Sequence, residues 1–320
     1  IGFALTGGQK KVIEEIVKDQ SSCKKMLRLL QGDVGSGKTL VAMAAMLNMV
    51  ELGKQAAIMA PTDVLANQHF AWFQEVLSEF DIHVECLTGK TKKSQRSKIL
   101  EELKGGGIKI LIGTHAIFQE NVDFKNLEIV VIDEQQRFGV QQRLQLTNKG
   151  IKCDVLAMSA TPIPRTLSLT VYGDMDISIL DEKPAGRKEI KTFTISSSRT
   201  DEVIELIRKK LSQGDQIYWI CPLIEADLEK AAEDTNYDMN TAAKQRYDVL
   251  QKAFGDNVSL MHGKFKNSEK DKVMQEFADH KTKILVSTTV IEVGVNVPNA
   301  TLMIIERADR FGLAQLHQLR

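Results

Sequence analysis

The chain has 320 residues, of which 43% are hydrophobic, and its 42 Lys and Arg residues are balanced by 42 Asp and Glu residues. This length exceeds the size at which a single core keeps growing, so we expect two domains. The zero formal net charge neither supports nor excludes a nucleic-acid partner, whose contacts would have to be local. No apolar run approaches the roughly 20 residues that span a bilayer, which excludes a membrane-spanning protein.

The four cysteines lie far apart and form no CxxC pair: Cys23, Cys86, Cys153 and Cys221. This spacing predicts reduced core thiols in a cytosolic protein and argues against a zinc site. We expect no signal peptide before the first domain. The chain begins at Ile1 rather than Met and stops at Arg320 in mid-pattern, so we expect it to be a piece of a longer protein.

Short apolar runs alternate with helical patterns along the first half of the chain. The predicted strands cover residues 26–30, 56–60, 84–87, 109–112, 128–132 and 155–158, and a helix is predicted over residues 63–80. Such alternation favours a parallel sheet covered by helices on both faces.

The strongest single motif is "GDVGSGKT", which follows the first predicted strand and precedes a helix. It matches the P-loop pattern GxxxxGK[ST] in the expected context, whereas a chance glycine turn is the alternative. The backbone N–H groups of such a loop surround a polyphosphate, while its lysine reaches the β- and γ-phosphates and its threonine hydroxyl binds Mg²⁺. The residues concerned are Gly32, Asp33, Val34, Gly35, Ser36, Gly37, Lys38 and Thr39.

Two adjacent acids, Asp133 and Glu134, follow the predicted strand over residues 128–132. Acids at a strand end are often solvated turn residues, but a P-loop enzyme needs a second anchor for Mg²⁺ at such a position. We therefore predict that Asp133 binds the metal and that Glu134 acts as the general base for the attacking water.

Small polar clusters follow several other strands, where the loops of an open parallel sheet bind ligands. Their hydroxyl groups and backbone N–H groups suit phosphate contacts that position a nucleic acid without reading its sequence, although each cluster taken alone is more typical of an N-cap or an ordinary turn. The candidates are Pro61, Thr62, Gly113, Thr114, His115, Ser159, Thr161, His262, Gly263, Thr288 and Thr289.

Residues 181–189 combine Pro, Gly and charge, as a linker does, so the predicted domains are residues 1–183 and 184–320. The acidic residues 225–240 are predicted to be a mobile surface insertion. The second half then repeats the alternation, with strands predicted over residues 190–195, 216–220, 258–261, 283–286 and 301–305 and helices over residues 200–212, 241–254 and 268–278.

Taken together, these motifs resemble the motor core of superfamily 2 helicases, and most closely the bacterial RecG type. The resemblance rests on "GDVGSGKT", "MAPTDVLANQHF", "GTHAIFQENV", "VIDEQQRFGVQQR", "MSATPIPRTLSLTVYGDMD", "STTVIEVGVNVPNATLMIIE" and "FGLAQLHQLR", and it covers essentially the whole chain. It implies an α/β fold of two tandem RecA-like P-loop NTPase domains. It also implies an ATP- and Mg²⁺-dependent DNA helicase or translocase that acts on stalled forks and Holliday junctions in repair and recombination.

The resemblance assigns further roles. Phe3 would pack near the adenine and Gln9 would hydrogen-bond it, Ser159 and Thr161 would link hydrolysis to movement, and Glu292 and Gly294, with Thr288 and Thr289, would face both ATP and DNA. It further implies branched or duplex DNA as partner, a single-stranded DNA-binding protein as a second candidate partner, a monomer and a bacterial cytosolic location.

This chain departs from the family pattern in two places. Gln136 stands beside the catalytic acids where relatives usually carry His, so we predict less pH dependence of ATP hydrolysis between about 6 and 7, because an amide does not titrate. Asn296 replaces an Asp. The resemblance further implies an arginine finger after Arg320, and because losing such a finger costs about 10³–10⁵ in rate in other P-loop enzymes, this segment alone is expected to hydrolyse ATP poorly.

Three alternatives remain open at this point. The translocase motor of a transcription-repair coupling factor shares "ATPIPRTL" and "RFGV", although "GTHAIFQ" and "IEVGV" favour the RecG type. A nucleotide-gated nucleic-acid-binding module without robust hydrolysis would be favoured by a lost carboxylate or P-loop lysine, and both are present. An RNA helicase is the third, since no motif reports the 2′-OH groups or groove shape that distinguish RNA from DNA.

Overall fold

The computed structural model describes residues 4–119, 121–133, 153–160, 175–182, 190–222, 241–262, 265–288, 297 and 299–319. The chain divides into two compact units, Ile1–Lys188 and Glu189–Arg320. The domain boundary predicted after residue 183 falls in a segment outside the described residues.

Unit 1 is built on a parallel sheet of seven described strands in the order β3-β4-β2-β5-β6-β1-β7. Successive residues of β2 point to opposite faces, so that Ile58 lies in one apolar cluster and Ala57 in another, and both faces are covered. The strands are β1 Leu27–Gly32, β2 Gln55–Met59, β3 Val84–Leu87, β4 Ile110–Gly113, β5 Leu127–Ile132, β6 Asp154–Ser159 and β7 Asp176–Leu180. The helices are α1 Gly7–Gln20, α2 Lys38–Glu51, α3 Asp63–Val76 and α4 Lys93–Gly105, with a 3₁₀ turn at His115–Phe118.

Unit 2 contains a four-stranded parallel sheet in the order β11-β8-β10-β9 among its described residues. Trp219 and Ile220 are neighbours in β8 and pack into separate apolar clusters, so apolar residues cover both faces of this sheet as well. The strands are β8 Gln216–Ile220, β9 Val258–Met261, β10 Ile284–Ser287 and β11 Ala300–Ile305, and the helices are α5 Thr200–Ser212, α6 Thr241–Phe254, α7 Asn267–Ala278 and α8 Leu313–Leu319. Three 3₁₀ turns complete the described part: Ser197–Arg199, Gly255–Asn257 and Ala308–Arg310.

The sheet of unit 2 repeats part of the sheet of unit 1, because β9-β10-β8-β11 has the same order as β3-β4-β2-β5. The corresponding strands β2 and β8 each begin with a fully buried glutamine, Gln55 and Gln216 respectively. The Gln55 amide donates to two carbonyls at the end of α4 and before β4, and the Gln216 amide donates to Phe277 and Thr282 at the matching points. The register with the neighbouring strand also shifts at the same place in both sheets.

The structure corrects two sequence predictions and adds one strand that was not predicted. Residues 190–195 form no strand: their backbone is irregular, and Phe193 is 77% exposed, so the alternating apolar residues find no sheet face to cover. Strand β7, at the edge of the sheet, was not predicted. Its buried residue Ser178 is polar and its 61% exposed Ile179 is apolar, so the usual alternation of buried apolar and exposed polar residues is absent. Helix α3 ends at Val76 rather than residue 80. The predicted insertion at residues 225–240 lies outside the described residues.

No helix in the described part of the chain combines the length and apolar character needed to cross a membrane.

Candidate nucleotide and nucleic-acid site

The P-loop connects the end of β1 to the start of α2 and contains two left-handed glycines, Gly35 with φ 75° and Gly37 with φ 88°. Only glycine adopts this backbone conformation without strain. Lys38 lies in the first turn of α2, and its Nζ donates to the carbonyl oxygens of Gly32 at 2.7 Å and Asp33 at 3.0 Å. The ammonium group is therefore held inside the loop whose N–H groups and helix dipole suit a phosphate.

Two of the loop glycines leave no space for a side chain. A Cβ added to Gly32 would lie 2.6 Å from Ser36 Oγ and 3.0 Å from Leu180, and one added to Gly37 would lie 2.1 Å from Gln9 Nε2. Ser36 is buried, and its hydroxyl has no hydrogen-bond partner among the described residues. The loop is thus compact, with a polar group buried within it.

Gln9 connects helix α1 to the P-loop. Its Nε2 donates to the carbonyl of Ser36 at 3.1 Å, and its Oε1 accepts from the N–H of Thr6 at 3.0 Å, while the Thr6 hydroxyl accepts from Gln9 N in return. This capping box fixes the start of α1, and Glu182 accepts from the Gly8 N–H beside it. Gln9 is 3% exposed. Its predicted adenine contact stays a prediction, and Phe3 lies outside the described residues.

Asp133 follows β5, and its side chain is held by a residue that the sequence analysis did not single out. His69 Nε2 lies 2.9 Å from Asp133 Oδ2, and both side chains are largely buried. The pattern that could have found His69 is its position midway between the apolar Leu65 and Phe73 on α3, which places it on the face toward the sheet. Glu134 and Gln136 lie outside the described residues.

The order of the strands brings the predicted site residues of unit 1 to one edge. The carboxyl ends of β4, β2, β5, β6 and β1 lie side by side. They carry, in that order, Gly113 with Thr114 and His115, Pro61 with Thr62, Asp133, Ser159 and the P-loop. Asp133 and the P-loop are two strands apart, or about 10 Å. Thr39 and Asp133 supply the hydroxyl and carboxylate oxygens that Mg²⁺ prefers, so the donor set fits this metal.

The neighbouring strand ends differ in how far they expose their polar groups. Thr62 caps α3, accepting from Leu65 N at 3.3 Å, and His115 is exposed. Thr114 is 3% exposed, and its hydroxyl has no partner among the described residues. Gly113 is required for close packing, because a Cβ there would lie 2.1 Å from the Leu87 carbonyl. Ser159 is buried, and Thr161 lies outside the described residues.

In unit 2, His262 follows β9 and Thr288 follows β10. The ring of His262 stacks at a tilt on Phe265, with 4.1 Å between centroids, and Thr288 is 1% exposed. The predicted Gly263, Thr289, Glu292 and Gly294 lie outside the described residues. Thr288 after β10 therefore matches Thr114 after β4 of unit 1, whereas His262 follows β9, whose counterpart β3 carries no candidate residue.

Comparison with known proteins identifies what these two sheets resemble. The family model "DEAD/DEAH box helicase" matches residues 6–170, and "Helicase conserved C-terminal domain" matches residues 198–320. The ATP-dependent DNA helicase RecG of Bacillus subtilis (strain 168) is 51% identical over 320 residues, which are 99% of this chain and 46% of that protein. RecG of Thermotoga maritima is 49% identical over 319 residues, covering 99% of this chain and 40% of its own.

Solved structures agree with this. A structure of RecG bound to a three-way DNA junction superposes with a TM-score of 0.84 and 48% identity, covering 100% of this chain and 41% of that one. The DUF1998 helicase MrfA bound to DNA has a TM-score of 0.64 at 20% identity, covering 94% of this chain and 44% of that one, and shares the fold. The chain spans less than half the length of the RecG proteins it matches.

Proposed function

Because this chain belongs to the DEAD/DEAH box helicase family and its two RecA-like domains are of the RecG type, we propose that it is the motor of an ATP-dependent helicase acting on branched DNA. One observation carries the proposal: the P-loop after β1 and Asp133 after β5 stand at the same edge of one parallel sheet. We assign the nucleotide-binding domain to residues 1–183 and the second motor domain to residues 184–320.

The chemistry assigned to this chain is phosphoryl transfer from ATP to water. The glycine loop binds the phosphates through its N–H groups, and Lys38 adds a positive charge that stabilises the negative charge developing on the γ-phosphate. Glu134 is proposed to take the proton of the attacking water. Gln9 would read the adenine while its amide stays bonded to Ser36 of the loop.

Thr39 and Asp133 are the residues proposed to hold Mg²⁺. The metal would neutralise phosphate charge and orient the triphosphate. The Thr39 hydroxyl belongs to the first turn of α2 and the Asp133 carboxylate follows β5, so each is fixed by a regular element.

The strand-end clusters are proposed to bind DNA through its phosphates. His115 is exposed and Thr62 stands at the N-terminus of a helix, both of which suit an anion. The substrates proposed are forks and junctions, because the RecG relative in the solved complex is bound to a three-way DNA junction. A single-stranded DNA-binding protein as partner, a monomeric state and a bacterial cytosolic location belong to the same proposal.

The test is ATPase activity of the full-length protein with forked, duplex and single-stranded DNA and with RNA. We expect the highest rate with forked DNA, and a loss of about 100-fold or more in Lys38→Ala and Asp133→Asn, since both remove charge needed at the phosphates. Lys10→Ala, at an exposed position on α1, is the control and should hydrolyse ATP normally.

Stimulation by RNA alone would overturn the DNA assignment, and DNA-dependent nucleotide binding without hydrolysis would favour the non-catalytic binding module. Equal stimulation by forked and linear duplex DNA would favour the transcription-repair translocase instead.

A further inference from the structure

The contact between His69 and Asp133 has no role in the assignments above. His69 Nε2 lies 2.9 Å from Asp133 Oδ2, and the two side chains are 12% and 13% exposed. A hydrogen bond at this distance, shielded from water, restricts the carboxylate to one orientation. The other oxygen, Oδ1, accepts no hydrogen bond from any residue that the structure describes.

His69 is itself held by the packing of α3. Leu65 and Phe73, one turn before and one turn after it, are 4% and 0% exposed, so this face of the helix is fixed against the sheet. Thr62 caps the same helix. The imidazole therefore reaches Asp133 from a rigid support.

The backbone of Asp133 is fixed by the same part of the chain. Its N–H donates to the carbonyl of Met59 at 2.9 Å, which continues the pairing of β5 with β2 by one residue. Strand β2 leads into α3. One strand–helix unit thus holds both the backbone and the side chain of the predicted metal ligand.

Unit 2 contains the same arrangement at the matching position. There the N–H of Glu306 donates to the carbonyl of Ile220 at 2.9 Å, and the Glu306 carboxylate is paired with Arg246 on α6. Buried residues flank Arg246 as they flank His69: Ala243 and Leu250 lie three before and four after it, as Ala66 and Phe73 do in α3. The repeat marks this contact as a feature of the shared fold.

The two copies differ in charge. Arg246 brings a permanent positive charge that neutralises Glu306, and its guanidinium also lies 4.9 Å from the centre of the Trp219 ring. An imidazole donates a hydrogen bond through one nitrogen without a permanent charge. Among the described residues of unit 1, no Lys or Arg is paired with the Asp133 carboxylate.

We infer that His69 is a positioning residue that orients the Asp133 carboxylate for Mg²⁺, an inference that rests on the proposed function. The imidazole N–H holds Oδ2 and directs Oδ1 toward the metal or its bound water. Such supporting hydrogen bonds are common around metal ligands, and removing one typically lowers metal affinity about 10- to 100-fold.

The test is a Mg²⁺ titration of the binding of a fluorescent ATP analogue to the full-length protein, repeated with Mn²⁺ and followed by electron paramagnetic resonance. We expect His69→Leu to need about 10-fold more free Mg²⁺ or Mn²⁺. Binding of the analogue without metal should be unchanged, and His69→Gln, whose amide keeps a donor, should recover most of the affinity. Should His69→Leu not fold, His69→Asn, too short to reach Asp133, serves in its place.

Arg246→Met is the matched control, because it breaks the equivalent contact in unit 2, and its Mg²⁺ dependence should equal that of the wild type. A wild-type Mg²⁺ dependence in His69→Leu, or the same shift in both variants, would overturn the positioning role while leaving the proposed function intact. Failure of the wild-type protein itself to bind nucleotide in a Mg²⁺-dependent way would overturn both.

Discussion

At the scale of single residues, the side-chain amide of Gln9 occupies the volume that a side chain at position 37 would need. The Gln9 amide lies where a Cβ of residue 37 would be, 2.1 Å away, and φ of residue 37 is 88°. A side chain at Gly37 is therefore disfavoured twice, once by backbone strain and once by the collision with an amide that is bonded to Ser36. The two causes can be separated by experiment.

We predict that Gln9→Ala weakens ATP binding about two- to tenfold, the usual contribution of one hydrogen bond to a loop carbonyl. Gly37→Ala should weaken it more in the wild-type background than in the Gln9→Ala background, because removing the amide relieves the collision but not the strain. The four proteins to compare are the wild type, Gln9→Ala, Gly37→Ala and the double variant. Titration of each with a fluorescent ATP analogue measures how far the effect of Gly37→Ala on the binding free energy differs between the two backgrounds, and we expect a difference of about 1 kcal/mol.

Gly53→Ala is the control for backbone strain, since φ is 74° there and an added Cβ meets no atom within 4 Å. It should leave ATP binding unchanged. If the effects of Gln9→Ala and Gly37→Ala on the binding free energy simply add, the collision with the Gln9 amide is not the cause of the weaker ATP binding in Gly37→Ala.

Thiol reactivity is also decided residue by residue. Burial raises the pKa of Cys86 and of Cys153 to about 12, and burial beside Glu306 raises the pKa of Cys221, whereas Cys23 is exposed. Because the thiolate is the reactive form, a disulfide reagent at pH 8 should modify Cys23 first and the other three slowly.

Counting reacted thiols with time checks this, and Cys23→Ser should remove the fast phase. The raised pKa values of Cys86 and Cys153 also make the free energy of unfolding depend on pH, because the unfolded chain loses these thiol protons at a lower pH than the folded protein. This contribution to stability is complete below the ordinary thiol pKa near 9 and is lost as the pH rises toward 12. Fast modification of more than one thiol in the folded protein would contradict the assignment.

At the scale of elements, the predictions succeeded where the residues of an element determine its own structure. They failed where contacts with another element determine it. The strands around β2 and β5 were predicted because their apolar residues are contiguous, and the P-loop because its glycines are required by its own backbone. Residues 190–195 have a strand pattern but no sheet to join, and β7 joins a sheet without the pattern. The spacing of Leu65 and Phe73 could have placed His69 on the face of α3 toward the sheet, but not its pairing with Asp133, which lies 64 positions away on another element.

Arg28 joins three elements that no local pattern connects. From β1 it donates to Asp19 of α1 at 2.8 Å and to Ser178 of β7 at 2.8 Å, and it approaches Glu15 of α1 to 3.5 Å. The Ser178 hydroxyl in turn donates to Glu15 at 2.6 Å. Arg28 is 8% exposed. This network holds the helix that carries Gln9 against the sheet.

We predict that Arg28→Met lowers the free energy of unfolding of unit 1 by about 3 kcal/mol, because it removes the cation paired with Asp19 and leaves Glu15 only the hydrogen bond from Ser178. The free energy of unfolding of Arg28→Lys should lie between those of the wild type and Arg28→Met, since an ammonium group cannot hydrogen-bond Asp19 and Ser178 together. Urea unfolding followed by tryptophan fluorescence measures the change. Lys24→Met, at an exposed position, is the control, and a loss below about 1 kcal/mol in Arg28→Met would argue against the network.

At the scale of the whole molecule, each apolar cluster found in the described residues is drawn from one unit. The fold class predicted from the sequence is confirmed by the two parallel sheets and by the family matches. Two similar domains were predicted, but the details that their sheets share were not, because a buried glutamine and a register shift are not visible as a run of identical residues.

Separate cores predict separate effects of core mutations. Leu103→Ala in unit 1 and Leu285→Ala in unit 2, both at fully buried positions, should each lower the stability of their own unit by about 2–5 kcal/mol. The chain has two tryptophans, Trp72 in unit 1 and Trp219 in unit 2, so replacing either by Phe leaves a reporter for the other unit. Equal shifts of both reporters by one core mutation would show that the units unfold as one.

The capping of α3 by Thr62 has a consequence for communication within unit 1. Thr62 and His69 are seven residues apart, about 10 Å along one helix. A DNA phosphate bound at Thr62 would stabilise the same helix that holds the Asp133 carboxylate through His69, so α3 would relay DNA binding to the proposed Mg²⁺ site within unit 1. We expect DNA to tighten Mg²⁺-dependent nucleotide binding in the wild type but less in His69→Leu, and an equal gain in both would place the relay elsewhere.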